Sequence, residues 1–227
     1  MNTVTYRELI TKRAPWTLCL GLAMCALNLG IIASAPDVAR ELVGVLEFDR
    51  RAISSGDVWR LFTGSLVHWT PYHFLLDVGT FLIVGLIFER QLGRLYPWML
   101  LASGLAVGAS VFLLESDLVF YRGLSGVVSG QFTVGIFNEI LRARNRRQVF
   151  LLLPALSVLT VKLIYESATG TMMFATERLG DLGDPLPLAH VAGTLGALAA
   201  GFVWIVARSD GDIFSPNLRA RRGSAST

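Results

Sequence analysis

The sequence predicts an all-α fold, a polytopic bundle of six transmembrane helices. Hydrophobic residues make up 53% of its 227 residues and charged residues only 16%, whereas charged residues are about a quarter of an ordinary soluble domain. Six long segments are almost free of charge and approach the roughly 20 apolar residues that a helix needs to cross the hydrocarbon layer. We therefore expect one membrane domain over residues 16–207, after a cytoplasmic segment of residues 1–15 and before a basic, disordered cytoplasmic tail of residues 208–227.

The six predicted spans are Trp16–Ala35, Leu61–Phe88, Tyr96–Leu114, Gly123–Leu141, Val149–Tyr165 and Leu186–Ala207. The first resembles a signal peptide, since Lys12 and Arg13 precede it and Ala33-Ser34-Ala35 is a small-residue cleavage pattern. Its apolar core is too long for a signal peptide, and Pro36 would follow the cut. We therefore expect a retained span.

Two loops between the spans have distinctive compositions. The segment Pro36–Trp59 interleaves apolar and charged residues, a pattern typical of a segment that lies on the membrane surface. The segment Glu166–Asp184 contains several glycines beside Met172, Met173 and Phe174. Such a loop can move and still dip into lipid, so we predict a lid there.

The distribution of charge predicts the orientation. If the N-terminus is cytoplasmic, thirteen Lys and Arg residues lie inside and six in the outer loops, while eleven acidic residues lie outside and four inside. Positive charge in short loops favours the cytoplasmic side. We expect both termini in the cytoplasm, in a bacterial plasma membrane. The net charge of +3 then reflects the orientation of the protein in the lipid bilayer and indicates no nucleic-acid partner.

All three histidines fall within predicted spans, His68 and His73 in the second and His190 in the sixth. Ionisable groups at membrane depth are costly, so a functional role is the default hypothesis. His73, Ser125 and His190 precede the charged inner ends of their spans by 16, 17 and 18 residues, about 24 to 27 Å at the helical rise. We therefore expect these three residues at one level, somewhat below the outer surface.

A serine and a histidine at one depth on two helices are the minimum for nucleophilic catalysis, because the imidazole can accept the hydroxyl proton and return it to the leaving group. Ser125 lies between Gly123 and Gly126. These glycines allow a tight turn into the fourth helix and close approach of a substrate backbone. The amide at this helix start can stabilise an oxyanion. The alternative interpretation is that the small residues only allow helices to pack closely.

Gly193, Ala197 and Gly201 recur every four residues on one face of the sixth span. This stripe predicts close packing against the fourth span and turns His190 toward that partner. Two charged residues have a simpler interpretation. Lys162 in the fifth span and Glu139 near the end of the fourth are expected to extend toward a membrane interface.

Together these residues resemble the rhomboid family of intramembrane serine proteases. Gly123-Leu124-Ser125-Gly126 resembles the family's GxSG motif and Ala189–Gly193 its AHxxG motif. His68, His73 and Asp77 resemble the HxxxxHxxxN pattern of its second helix, and Trp59–Thr63 the lead-in to that helix. The resemblance extends over residues 57–204. Within the family, the small size and the wording GLSGVVSG are most similar to the rhombosortase branch.

The resemblance implies a Ser-His dyad on a six-helix fold, with Ser125 as the nucleophile and His190 as the general base and acid. It implies that His73 and the Ser125 amide contribute to the oxyanion hole and that His68 orients or packs the site. The implied partners are transmembrane protein substrates, cleaved in or near a membrane helix. The rhombosortase branch further implies substrates that end in a Gly-Gly segment, a membrane helix and a basic tail.

Asp77 stands where the family pattern has asparagine. An ionised carboxylate cannot donate a hydrogen bond and would repel a developing oxyanion, whereas a protonated one could donate. Burial favours the neutral form, and a protonated His73 four residues earlier favours the charged form. Both possibilities stay open at the level of the sequence.

Three other functions compete with proteolysis. A catalytically inactive rhomboid-like protein would bind client transmembrane helices without cutting them, but such descendants ordinarily lose the serine or the histidine. A metal enzyme would use His68, His73, Asp77 and His190 as ligands, yet the sequence contains no HExxH motif. A transporter would ordinarily contain paired repeats, which the sequence lacks. We expect no metal and no cofactor.

Overall fold

The computed structural model describes residues 14–170 and 186–213. Most of the predicted N-terminal segment, most of the predicted lid and residues 214–227 of the predicted tail lie outside the described residues. The chain is mostly helical, as predicted, with the addition of one short antiparallel pair of strands. The last helix runs to Ile213, beyond the predicted end of the membrane domain at residue 207.

The elements follow one another in this order: α1 (Pro15–Ala33), α2 (Pro36–Leu46), β1 (Phe48–Asp49), α3 (Arg50–Ser54), α4 (Arg60–Thr63), a 3-10 turn (Gly64–Leu66), α5 (Pro71–Leu92), α6 (Leu95–Leu114), β2 (Phe120–Tyr121), α7 (Ser125–Arg142), α8 (Arg146–Thr169) and α9 (Pro187–Ile213).

Five of the described helices are long and apolar enough to cross a membrane, namely α1, α5, α6, α8 and residues Pro187–Ala207 of α9. Large apolar side chains on their surfaces are exposed, among them Leu22, Leu113 and Phe150. This outward apolar surface is typical of a protein surrounded by lipid. Helix α7, the fourth predicted span, does not belong to the five. It is the central helix, and Gln131 and Thr133 on it are buried among other helices, so it need not be apolar on every side.

The predicted second span is wrong over its first ten residues. The structure interrupts it between the 3-10 turn and α5, and His68 lies in that interruption rather than in a spanning helix. Pro71 at the first position of α5 explains the break, because proline disfavours a helical conformation in the residue before it. The Thr70 hydroxyl then accepts a hydrogen bond from the His73 N–H at 3.1 Å and caps the new helix.

The two strands join the segment between α2 and α3 to the segment between α6 and α7. Phe48 pairs with Tyr121 in the antiparallel register, and Phe48 is completely buried. Arg50, directly after β1, donates to four backbone carbonyl groups at 2.6–3.0 Å, those of Val111, Phe112, Glu115 and Leu118. These acceptors include carbonyl groups of the last turn of α6, where backbone hydrogen bonds within the helix run out. The predicted surface loop Pro36–Trp59 is thus folded and tied to the bundle.

Farther along α7 from its first residue, buried polar contacts hold this helix against its neighbours. The Gln131 side-chain amide donates to the Tyr96 hydroxyl at 2.6 Å, and that hydroxyl lies 2.7 Å from the hydroxyl of Thr17. Glu89 accepts hydrogen bonds from the backbone N–H groups of Trp16 and Thr17 at 2.9 and 2.7 Å. A buried polar group that lacked such a partner would be destabilising, so these bonds specify how α1, α5, α6 and α7 fit together.

Helix α9 packs closely against α7 because both helices have glycine or alanine at the contact. A Cβ added to Gly193 would collide with the backbone of Gly126, and one added to Gly130 would lie 2.5 Å from the Gly193 carbonyl oxygen. Ala197 is completely buried beside Gly130. Gly201 departs from the predicted stripe, since an added Cβ there meets nothing within 4 Å. The stripe therefore packs over its first two positions and not at the third.

Replacement of Gly193 by alanine is expected to destabilise the bundle, because the added methyl group would force α7 and α9 apart. Overpacking of this kind lowers the free energy of unfolding by about 1–3 kcal/mol. The midpoint of thermal unfolding in detergent measures the change. Gly201→Ala is the matched control, because it adds the same group to the same helix in open space. Equal midpoints for the two variants would show that the packing does not depend on the Gly193 contact.

Candidate active site

Ser125 is the first residue of α7 and follows a turn that only glycine adopts easily. Gly123 has a φ of +131°, and its N–H donates to the Gly64 carbonyl at 3.3 Å. A Cβ added to Gly123 would lie 2.9 Å from the His73 ring. A Cβ added to Gly126 would lie 2.5 Å from the Ala189 carbonyl oxygen. Both glycines therefore bring backbone close to neighbouring groups at the start of α7.

His190 lies in the first turn of α9, beside the first turn of α7. Its Nε2 atom is 2.9 Å from the Ser125 Oγ, within hydrogen-bond distance. Only 8% of His190 is exposed. The structure thus brings together the serine and the histidine that the sequence placed at one level, on two helices that approach through Gly126 and Gly193.

Sequence reasoning missed two residues on α8. The Glu166 carboxylate oxygen Oε2 lies 3.0 Å from Nδ1 of His190, and Lys162 Nζ donates to the same oxygen at 2.7 Å. Lys162 Nζ is also 3.3 Å from His190 Nδ1. The prediction that Lys162 extends toward an interface is wrong, and so is the placement of Glu166 in a loop, since α8 continues to Thr169. Their spacing of four residues puts opposite charges on one helical face, and this pattern in the sequence could have predicted the ion pair.

Asp77 accepts hydrogen bonds beneath the serine turn. Its Oδ2 atom accepts from the Leu124 N–H at 2.7 Å and lies 3.2 Å from His73 Nε2 and 3.5 Å from His68 Nε2. On its other side, His68 Nδ1 is 3.0 Å from the Asn28 side-chain oxygen. Asp77 therefore links His68 and His73 to the backbone directly before Ser125. In its contact with Leu124, Asp77 is the hydrogen-bond acceptor.

A cavity of about 680 Å³ lies in front of the serine. Ser125, His190, His73, Asp77, Lys162 and Glu166 all contribute to its lining, together with apolar side chains of α5, α7 and α8. At its rim, the Arg122 guanidinium stacks over Trp69 at 4.1 Å and pairs with Glu47 at 2.8 Å. The size and the apolar lining suit a peptide segment more than a solvated ion. Over residues 14–170 and 186–213, no group of three or more His, Cys, Asp or Glu side chains is placed to hold a metal ion.

The Asp77 carboxylate is expected to be needed as an acceptor, and the asparagine of the family pattern can replace it in that role. Asp77→Asn retains an oxygen for the Leu124 N–H, whereas Asp77→Leu has a similar size and no acceptor. A buried N–H without a partner lowers the free energy of unfolding by about 1–3 kcal/mol. Thermal unfolding of both variants in detergent tests this, and an Asp77→Leu midpoint equal to that of Asp77→Asn would contradict it.

A comparison with known protein families identifies one match that covers more than half of the chain. The profile described as the Rhomboid domain matches residues 55–207. No curated protein matches the chain. The matched region includes every residue of the candidate site, from His68 to the first turns of α9, and four of the five apolar helices. On this match and its apolar helices, the chain is an integral membrane protein that belongs to the rhomboid family.

Proposed function

We propose that the protein is an intramembrane serine endopeptidase that cleaves membrane-anchored proteins in or near a transmembrane helix. Members of the rhomboid family are generally intramembrane serine proteases. The observation that carries the proposal is the 2.9 Å distance between Ser125 Oγ and His190 Nε2 at the wall of the 680 Å³ cavity. A nucleophile and a base within hydrogen-bond reach, facing a cavity, are the requirements of acyl transfer.

In this mechanism, His190 Nε2 takes the proton of the Ser125 hydroxyl as Oγ attacks the carbonyl carbon of the substrate. The C–N bond then breaks, and the imidazolium returns its proton to the leaving amine. Water next attacks the acyl-enzyme, with His190 again accepting a proton, and Ser125 leaves as the free hydroxyl. No other group has to accept or supply a proton.

The oxyanion that forms during each attack needs hydrogen-bond donors. The Ser125 N–H lies at the first position of α7, where an amide has no carbonyl one turn earlier within its helix. This amide and the partial positive charge of the helix start suit an anion. We propose that His73, which lines the same cavity, supplies a second donor. Asp77 then holds the Leu124 amide next to that oxyanion site.

The cavity also indicates how a client helix could be received. Leu76 and Thr80 of α5 line one side, and Ala155, Val158 and Leu159 of α8 line the other. A membrane helix hides its carbonyl groups in hydrogen bonds, so a client has to unwind before Ser125 can attack it. Small residues in the client favour such unwinding, because glycine weakens a helix by about 1 kcal/mol relative to alanine.

We further propose that the clients end in a Gly-Gly segment, a membrane helix and a basic tail, as the rhombosortase resemblance implies. The residues that support this refinement are the GLSGVVSG stretch around Ser125 and the small size of the chain. A Gly-Gly segment carries no side chains, so its backbone can approach Ser125 closely from the cavity that Ser125 and His190 line.

The membrane arrangement in this proposal has six spans, the five apolar helices and α7 between α6 and α8. Both termini lie in the cytoplasm of a bacterial cell. The excess of Lys and Arg on one side supports this orientation. It puts the Ser125 end of α7 toward the outer face and Arg142 toward the inner face. Reporter fusions at the C-terminus and at Ser116, in the loop after α6, would test it, and a C-terminal reporter active outside the cell would contradict it.

Ser125→Ala and His190→Ala are each expected to abolish cleavage, since each removes one partner of the proton transfer. The test reconstitutes the purified chain in vesicles with a client and follows the cleaved product by electrophoresis and mass spectrometry. Loss of at least about 10³-fold is expected for either variant. Ser110→Ala is the matched control, because that hydroxyl only bonds a carbonyl of its own helix. Cleavage by Ser125→Ala at the parent rate would eliminate the proposal. Binding of the client by the parent without any cleavage would favour the inactive client-binding alternative.

The client refinement predicts that a substrate with a Gly-Gly segment before its membrane helix is cleaved faster than the same substrate with Leu-Leu there. The leucine side chains would keep the client backbone away from Ser125 and would oppose unwinding of the client helix. We therefore expect at least about a tenfold difference in kcat/KM. Equal kcat/KM values for the two substrates would remove the Gly-Gly preference and leave the protease assignment intact.

A further inference from the structure

The residues of helix α8 are exposed or half-buried, with one exception. Among its residues only Glu166 is buried, with an exposure of 1%. A single carboxylate buried on an otherwise peripheral membrane helix is costly unless a specific partner compensates it. Two of its partners are Lys162, one helical turn earlier, and His190 on α9.

The geometry at His190 is that of a histidine held between an acid and a nucleophile. Nδ1 is 3.0 Å from Glu166 Oε2, and Nε2 is 2.9 Å from Ser125 Oγ. If the proton of the neutral ring lies on Nδ1, it donates to the carboxylate and leaves the lone pair of Nε2 facing the serine. That tautomer is the one that can accept the Ser125 proton.

We propose that Glu166, held in place by Lys162, completes the site as a third member that fixes the tautomer and orientation of His190. The inference rests on the proposed proteolytic function and goes beyond a two-residue mechanism. Glu166 does not touch the substrate or the reacting atoms in this role, so it is a positioning residue. When Ser125 attacks and the ring becomes an imidazolium, the carboxylate also compensates the new positive charge.

Lys162 gives the arrangement a second consequence. Its Nζ is 2.7 Å from Glu166 Oε2 and 3.3 Å from His190 Nδ1. With the carboxylate present, Lys162 donates to it and the ring donates as well. Without the carboxylate, Lys162 can donate to Nδ1 directly, which puts the ring proton on Nε2 and removes the acceptor that Ser125 needs. Lysine is therefore supportive beside Glu166 and inhibitory without it.

The charged and titratable groups around His190 come from three parts of the described chain. Helix α8 supplies Lys162 and Glu166, helix α5 supplies His73 and Asp77, and the turn before α7 supplies Arg122, all of which line the same cavity. Of these, only the two residues of α8 lie within 3.3 Å of the His190 ring nitrogens in the described contacts. Changes at Lys162 and Glu166 should therefore have the largest effect on the orientation and tautomer of His190.

The test measures the rate at which a fluorophosphonate probe labels Ser125 in the purified full-length protein, from about pH 5 to 9. The probe reports the base-assisted reactivity of the serine and needs no client. Labelling of the parent at Ser125, mapped by mass spectrometry and lost in Ser125→Ala, tests independently whether Ser125 is the nucleophile of the proposed function. Labelling that persists in Ser125→Ala would instead refute that function, and the two failures are thus separate.

Glu166→Gln is expected to lower the labelling rate at neutral pH by at least about tenfold, because the correct tautomer is no longer enforced. Lys162→Met is expected to lower the labelling rate less than Glu166→Gln does, because the carboxylate still accepts from Nδ1 and keeps the lone pair of Nε2 facing the serine. Glu166→Asp should recover part of the rate lost in Glu166→Gln.

The double variant Glu166→Gln/Lys162→Met supplies the sharpest outcome. It should label faster than Glu166→Gln alone, because the lysine that enforces the wrong tautomer is gone. Thr160→Val, on the same helix with its hydroxyl bonded only to the Leu156 carbonyl, is the control and should label at the parent rate. A merely structural role would lower the amount of folded protein, and neither Glu166→Asp nor removal of the lysine would then restore the labelling rate. An unchanged rate in Glu166→Gln, or a double variant slower than Glu166→Gln, would overturn the inference.

Discussion

The close approach of the first turns of α7 and α9 is the constraint on which the rest of this structure depends. Backbone meets backbone there because Gly126 and Gly193 carry no side chains, and the Gly193 carbonyl also accepts a hydrogen bond from Ser103 of α6 at 2.8 Å. Without a hydrophobic driving force between helices in lipid, such close contacts supply much of the association energy. A hydroxyl and an imidazole at the two helix starts then come within hydrogen-bond distance.

Several polar side chains of the bundle bond to backbone groups at places where helices begin, end or turn. Arg50 satisfies the last carbonyl groups of α6, Glu89 satisfies the first amides of α1, and Asp77 satisfies the Leu124 amide before α7. Hydrocarbon offers no water to those groups, so side chains from distant parts of the sequence replace it. The same need that stabilises the helix termini also anchors the turn that carries Ser125.

The site gathers more charge than a serine and a histidine require. Lys162 and Glu166 lie on one side of His190, while Asp77 and His73 lie across the cavity on α5. Glu166 pairs with Lys162, and Asp77 accepts a hydrogen bond from the Leu124 N–H, so each carboxylate has a partner within a largely apolar cavity. Charges with such partners can be preorganised around a reacting group, whereas a lone buried charge would be neutralised or would destabilise the fold.

By itself, the sequence determined the helical membrane class, the order of its apolar segments and the matched positions of Ser125 and His190 along their helices, because hydropathy and helical rise are local properties. Only the tertiary structure decided that Glu166 and Lys162 face His190 and that Gly201 packs against nothing. Contacts between helices depend on their rotation and crossing, which residues far apart in sequence set together. The pair on α8 was visible as opposite charges four residues apart, but its partner on α9 was not.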